Sequence, residues 1–211
     1  MADADHRRAQ RRERSTPRDP PGIVTPDAEL VTSPPAGKTV EFLDRPDDPD
    51  TEPLVFEMTL APDGHGPMRH VHPEQDEWLA VREGRLGVCI DGRRHELGPD
   101  QVVTIPAGTP HRFWNAGDST LRLHGGVTPG LRTEPFMRVT YGLARDGDPV
   151  TPSGMPLNLL RLAVLLREFD DMLYLSALPV WLQRLGIRLT APLGRLAGYD
   201  NRYVEYLPER P

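Results

Sequence analysis

From residue 38 onward, apolar and polar residues alternate along most of the first two thirds of the chain, the period expected of strands with one buried face. KTVEFLD reads as a strand over 38–44, and PLVFEMTL places Leu54, Phe56, Met58 and Leu60 on one side. MRHVH, EWLAVR, RLGVCID, RRHEL, QVVTIP, HRFWN and STLRLHG follow, separated by Gly, Pro, Asp and Asn. Asp91-Gly92 is a two-residue hairpin signal, because both residues tolerate the left-handed backbone that such a turn requires. About nine short antiparallel strands predict a mainly β protein, a jelly roll or double-sheet barrel that leaves few exposed edges.

The period changes in the last third. Thr133 is placed to cap a helix through PFMRVTYGLARD, with Gly147 ending it. PLNLLRLAVLLREFDDMLYL then predicts a long helix with Leu159, Leu162, Leu166 and Phe169 as its buried stripe. Pro179 breaks that pattern, and VWLQRLGIRLTAPLGRLAGY resumes it. No run of eighteen uncharged apolar residues occurs, so a spanning helix is not expected. Between Asp171 and Asp200 the only charges are Arg184, Arg188 and Arg195, which with Trp181 also describes a helix lying in a membrane surface. The expectation is that residues 156–199 pack on the barrel or on a second copy in a homodimer, with membrane-surface contact as the alternative.

Two segments of this chain carry its chemistry: HVHPEQDEWLAVREG and IPAGTPHRFWN. His70 and His72 are two apart and so share one face of a strand. Glu77 lies five residues further, where a second strand can return, and His111 arrives from a separate segment after a Pro-Ala-Gly-Thr-Pro turn. Three imidazoles and a carboxylate on a rigid sheet can hold a divalent transition metal and leave coordination positions open.

These residues resemble the cupin superfamily. Its first motif, Gly-x5-His-x-His-x3,4-Glu-x6-Gly, falls on Gly64, His70, His72, Glu77 and Gly84; its second, Gly-x5-Pro-x-Gly-x2-His-x3-Asn, falls on Pro106, Gly108, His111 and Asn115. Asp100 stands where the second motif has its leading glycine, and Asp tolerates the left-handed conformation better than most residues. The resemblance implies a cupin-type antiparallel β-barrel (a double-stranded β-helix or jelly roll) followed by a helical C-terminal extension. It implies His70, His72, Glu77 and His111 as metal ligands. Cupins include dioxygenases, isomerases, decarboxylases and binding proteins, so the reaction does not follow from the fold. The expected cofactor is a divalent transition metal, Fe(II) in preference to Mn, Ni or Zn. The expected partner is a small oxygenated or anionic molecule, because one carboxylate leaves a divalent ion with net positive charge. Met68, Leu79 and Phe113 are expected to line the remaining wall, with Glu74 and Asp76 solvated beside the ligands.

Composition narrows the rest. The 211 residues suit one domain with appendages: a disordered tail over 1–36, the barrel over 37–130, and the helical extension over 131–211. Residues 1–20 hold six Arg and four acids and no apolar stretch that could serve as a signal-peptide core. A net charge of −6 argues against nucleic acid as a partner. The single Cys89 cannot form an internal disulfide, so nothing requires an oxidising compartment and a cytoplasmic setting is expected. Lys38 is the only lysine, outside the motifs, and is set aside as a Schiff-base candidate. His6, His65 and His95 are taken as ordinary histidines, and alternation turns His124 away from the core face of its strand.

Overall fold

The computed structural model describes residues 30–199 and 203–207. Period-two burial produces two antiparallel sheets facing one another. The first contains β1 (Leu30–Ser33), β2 (Lys38–Asp44), β3 (Leu54–Leu60), β5 (Asp76–Glu83), β8 (Val102–Ile105) and β10 (Leu121–Thr128), in the order β1-β2-β3-β10-β5-β8. The second contains β4 (His70–Val71), β6 (Leu86–Ile90), β7 (Arg93–Leu97), β9 (His111–Asn115) and β11 (Tyr174–Leu175), in the order β11-β4-β9-β6-β7. Every alternate residue of β3 is buried, as the sequence pattern requires, and Phe56, Leu60, Leu79, Leu86, Phe113 and Leu123 meet between the sheets. A mainly β barrel with a helical C-terminal region is therefore the observed architecture.

Turn chemistry agrees with the sequence at its sharpest points. Asp91 and Gly92 both have positive φ, 47° and 80°, as a tight hairpin between β6 and β7 demands. Asp100 adopts φ 65°, so the carboxylate residue takes the left-handed position that a glycine would otherwise fill. Asn115 pins the end of its strand: its Nδ2 reaches the carbonyl oxygens of Leu60, Ala61 and Ser119, and its Oδ1 accepts from the Gly117 amide.

Several boundaries differ from the sequence reading. Order was expected to begin after residue 36, but residues 30–36 are structured. β1 pairs with β2 from Leu30↔Glu41 to Ser33↔Lys38, and Val31, Ser33 and Ala36 are buried. The tail expectation for residues 1–29 lies outside the described residues. α1 (Thr133–Arg145) forms as expected, but the Thr133 hydroxyl does not cap it; it donates to the Gly130 carbonyl instead.

α2 is shorter than predicted, Leu159–Glu168, with Asn158 capping it by accepting from the amides of Leu160 and Arg161. Its buried side follows the predicted stripe only at Phe169. Val164, Leu165 and Phe169 are buried, Leu162 and Leu166 only partly, and Leu159 is 77% exposed. The helix stops where Arg167 pairs with Asp170 and Arg132 pairs with Asp171, and the chain turns into β11. α3 (Val180–Leu196) packs on α2 through Ala191 and Gly194 and leaves most of its leucines outside. The expectation that both apolar faces are covered is met within this chain for α2 only. Among the described residues, no helix is long and apolar enough to cross a membrane.

Candidate metal centre

The four motif residues come from both sheets. His70 on β4 pairs directly with His111 on β9, and His72 follows just past the end of β4. Glu77 projects from β5 of the opposite sheet, so the cluster closes the seam between the two layers. All four side chains are buried, and one ligand atom from each lies within 4.8 Å of the others. Ligands on opposite sides of one first-row ion stand about 4.0–4.4 Å apart, so the cluster is near coordination size.

Backbone carbonyls decide which imidazole nitrogens face inward. His70 Nδ1 donates to the Met68 carbonyl at 2.8 Å, His72 Nδ1 to Met172 at 2.7 Å, and His111 Nδ1 to Thr109 at 2.8 Å. A carbonyl can only accept, so each Nδ1 carries the proton and each Nε2 of a neutral ring is left with its lone pair. His70 Nε2 and His72 Nε2 then face each other at 3.0 Å with no proton to share. His111 Nε2 approaches Glu77 Oε2 at 2.8 Å, yet both atoms are buried without a well-aligned hydrogen bond among the described residues. Converging lone pairs and an unsatisfied carboxylate oxygen are unfavourable in a dry interior, and a divalent cation among them removes the conflict. The donor set fits a first-row transition metal.

Protonation divides the cluster: His70 and His72 are held neutral, while His111 and Glu77 hold a proton between them that a bound cation would displace. Burial, reinforced by the other two imidazoles, holds His70 well below its ordinary range. Burial lowers His72 as well, against the opposing pull of Glu77. Burial also works against charge on His111, but the Glu77 carboxylate outweighs it and raises this one histidine. For Glu77 burial acts upward, and His111 with His72 more than reverses it, keeping the carboxyl ionised below its usual range.

The cavity beside this cluster is walled by Phe56, Met58, Phe113, Phe136, Met137 and Met155, with the ligands, Lys38, Thr133, Thr140, Tyr141 and Ser153 as its polar groups. Phe113 lines the cavity as expected, but Leu79 is buried in the core between the sheets and does not line it, and Met68 is 43% exposed and contributes its carbonyl, not its side chain. Glu74 and Asp76 are exposed, and Asp76 Oδ1 accepts from the Ala107 amide. His124 pairs with Glu57 at 3.0 Å, away from the cluster, as alternation requires. His65 and His95 are exposed, and His6 lies outside the described residues.

Two supports escaped the sequence reading. Met172 belongs to the C-terminal extension, yet its carbonyl orients His72, and β11 behind it pairs with β4 at Leu175↔His70. Gln75 is fully buried and its Nε2 reaches the carbonyls of Pro129 and Gly130 and the Thr133 hydroxyl, tying the ligand strand to the start of α1. Gln75 shares the face of Glu77 by alternation, a signal that was available; nothing local marked Met172.

Residues 56–125 match the Cupin_2 family, a cupin domain. A probable oxidoreductase, virH, from Hypocrea virens is 37% identical over 158 residues, 68% of this chain and 69% of that protein. Quercetin 2,3-dioxygenase of Bacillus subtilis is 39% identical over 62 residues, 28% of this chain and 18% of the enzyme. Among solved structures, a sugar phosphate isomerase of the cupin superfamily from Silicibacter pomeroyi aligns at 28% identity with a TM-score of 0.38, covering 44% of this chain and 59% of that one. Two further curated relatives are matched over 39% and 61% of their own length, so the chain spans only part of them.

Proposed function

This chain belongs to the cupin superfamily, and from that premise we propose that it is a metal-dependent oxidoreductase of Fe(II) type acting on a small oxygenated molecule. The observation that carries the reading is the convergence of three imidazole Nε2 atoms and the Glu77 carboxylate at the end of an apolar cavity. His70, His72, Glu77 and His111 would hold the ion. When bound, it supplies redox chemistry and positive charge to a substrate oxygen, with positions left open beside four protein ligands.

The chain's own residues do the remaining work. The carbonyls of Met68, Thr109 and Met172 hold each ring in its donor tautomer, so the ligands are oriented before any ion arrives. Phe56, Phe113, Phe136 and Met155 shield the ligands from water around a cavity of about 60 Å³, which would admit the body of a small substrate as the flexible Met137 and Met155 side chains swing aside. Kinship to proteins named oxidoreductase and dioxygenase supports redox chemistry over isomerisation or binding without turnover.

The test is elemental analysis of protein purified without chelators, paired with a screen for oxygen consumption. Metal at near-stoichiometric content with oxygen uptake that fails after replacement by Zn(II) supports the proposal. Turnover that continues without oxygen assigns the site to isomerase or cyclase chemistry instead. Ligand affinity that is equal with either metal, and no turnover, makes the chain a binding module.

A further inference from the structure

Lys38, the only lysine of the chain, opens β2 and lines the same cavity as His70, His72 and Glu77. It is 4% exposed. Its Nζ donates to the Ser153 carbonyl at 2.7 Å and lies 6.0 Å from the centre of the Tyr141 ring. Burial brings its pKa down to about 7, and among the described residues no neighbouring charge acts on it in either direction. An ammonium carries three donors, and a single carbonyl satisfies one of them. A buried cation without an anion is costly, and such groups are normally paired or exchanged for apolar residues. The β2–β3 strand pair would tolerate an aliphatic side chain here, since Lys38 sits opposite Leu60.

We propose that Lys38 is a second anchor for the substrate, receiving an acidic oxygen (carboxylate, phenolate or enolate) of a small molecule whose apolar body rests on Phe56, Met58, Phe113 and Phe136. Its second oxygen faces the metal ligands, and only this part rests on the metal-dependent reading above. The substrate class is thus a small apolar acid with oxygens at both ends of the cavity. An anion entering this cavity meets the Lys38 ammonium beside apolar side chains, which favours it over a neutral molecule of the same shape, and with the ion of the metal-dependent reading bound it would meet positive charge from a second side.

Benzoate and its neutral isostere benzamide are the probes, titrated calorimetrically into the full-length protein, Lys38→Met and Lys38→Gln. Gln keeps a donor for the Ser153 carbonyl but removes the charge, so it separates a loop tether from an anion site. Wild type should prefer benzoate, both variants should lose at least about tenfold in benzoate affinity, and benzamide should change by less than about twofold. Unchanged benzoate binding in Lys38→Gln, a parallel loss of benzamide, or a wild type with no preference for benzoate overturns the assignment. Metal content measured on the same samples keeps the two readings apart. Lys38-dependent benzoate binding in protein that takes up no metal sinks the metal reading alone, and full metal content with no effect of Lys38 sinks this one alone.

A separate observation concerns α3. At 100° per residue, Trp181, Leu182, Leu185, Leu189, Leu193 and Leu196 fill one arc directly opposite Ala191 and Gly194, which face α2. These six are 40–86% exposed. Arg184, Arg188 and Arg195 run along one flank of the arc, and α3 has no acidic residue although the whole chain carries −6. The geometry points to an anionic lipid surface as the occupant, with leucines and Trp181 entering the interface and the arginine row meeting headgroups. A second copy packed antiparallel about a two-fold axis would set Arg188 and Arg195 against their own copies with no acid on α3 to answer them, while Arg184 already has Asp170 and Glu74 nearby.

Flotation of full-length protein with phosphatidylcholine vesicles, with and without one quarter phosphatidylserine, is the test, alongside light scattering for mass. Co-flotation with the anionic vesicles only, lost in Leu189→Glu and weakened in Arg188→Glu, supports it. Protein that stays in the soluble fraction with anionic vesicles overturns it, as does a solution dimer that Leu189→Glu dissociates.

Discussion

Replacing Lys38 by Met should change how folding stability depends on pH. The ammonium's pKa falls from 10.5 to about 7 on folding because burial disfavours its charge. Between those values the unfolded chain holds a proton that the folded chain lacks, so wild-type stability rises with pH through this window. Below about pH 7 both states are protonated and the burial penalty is complete, on the order of 4–5 kcal/mol; above about pH 10.5 both are neutral and it vanishes. Met has a similar length and no charge, and its loss of the bond to the Ser153 carbonyl adds a pH-independent offset of about 1 kcal/mol. The stability advantage of Lys38→Met should therefore be largest near neutrality and shrink by about 3 kcal/mol between about pH 7 and about pH 9.5. Urea unfolding of both proteins across that range, followed by tryptophan fluorescence, measures it. Parallel pH profiles would refute the reasoning, since they would mean that the ammonium finds solvent or a counter-ion in the folded protein.

Four further outcomes are expected. His72→Ala should lower metal content well below wild type on elemental analysis, because it deletes one of two ligands separated by a single residue; equal content would sink the ligand assignment. Gln75→Leu should lose about 2 kcal/mol in urea unfolding by leaving the Pro129 carbonyl without its Gln75 donor and untying the ligand strand from Gly130 and Thr133. Gly125→Ala should be destabilising by about 1–3 kcal/mol in the same assay, since a Cβ there would lie 2.6 Å from the buried ring of Phe56. A chain beginning at Gly37 should melt below one beginning at Leu30, because the shorter one lacks β1 and the buried Val31; identical melting temperatures would show that β1 is dispensable.

The strands were legible because their burial is decided locally. Alternation in LVFEMTL puts Leu54, Phe56, Met58 and Leu60 inward whatever surrounds them, and β2 to β10 all form where the pattern placed them. The ligand group was legible for a related reason: His70 and His72 share a strand face, and a motif spaced around tight turns brings His111 opposite His70. Helices were read less well. Leucine occupies so many positions in residues 159–175 that several stripes are equally apolar, and the one that was buried, through Val164, Leu165 and Phe169, was chosen by the partner surface. β1 was missed because LVTS is short and stands among prolines and charges; pairing with β2 and cover from α1 supply the burial that its own sequence does not announce.

By itself, then, the sequence determined a two-sheet barrel and the identity of four clustered side chains, because period-two burial and turn geometry are encoded within a few residues. Tertiary structure decided what surrounds that cluster. It brought the Met172 carbonyl from 100 residues away to orient His72, laid β11 against the ligand strand, and closed α1 and the Ser153 loop over the cavity. It also carried the one lysine of the chain inside, to a carbonyl 115 residues distant. Those contacts join segments far apart in the chain, and a backbone carbonyl or a buried ammonium leaves no periodic mark, so only the packed fold makes them visible.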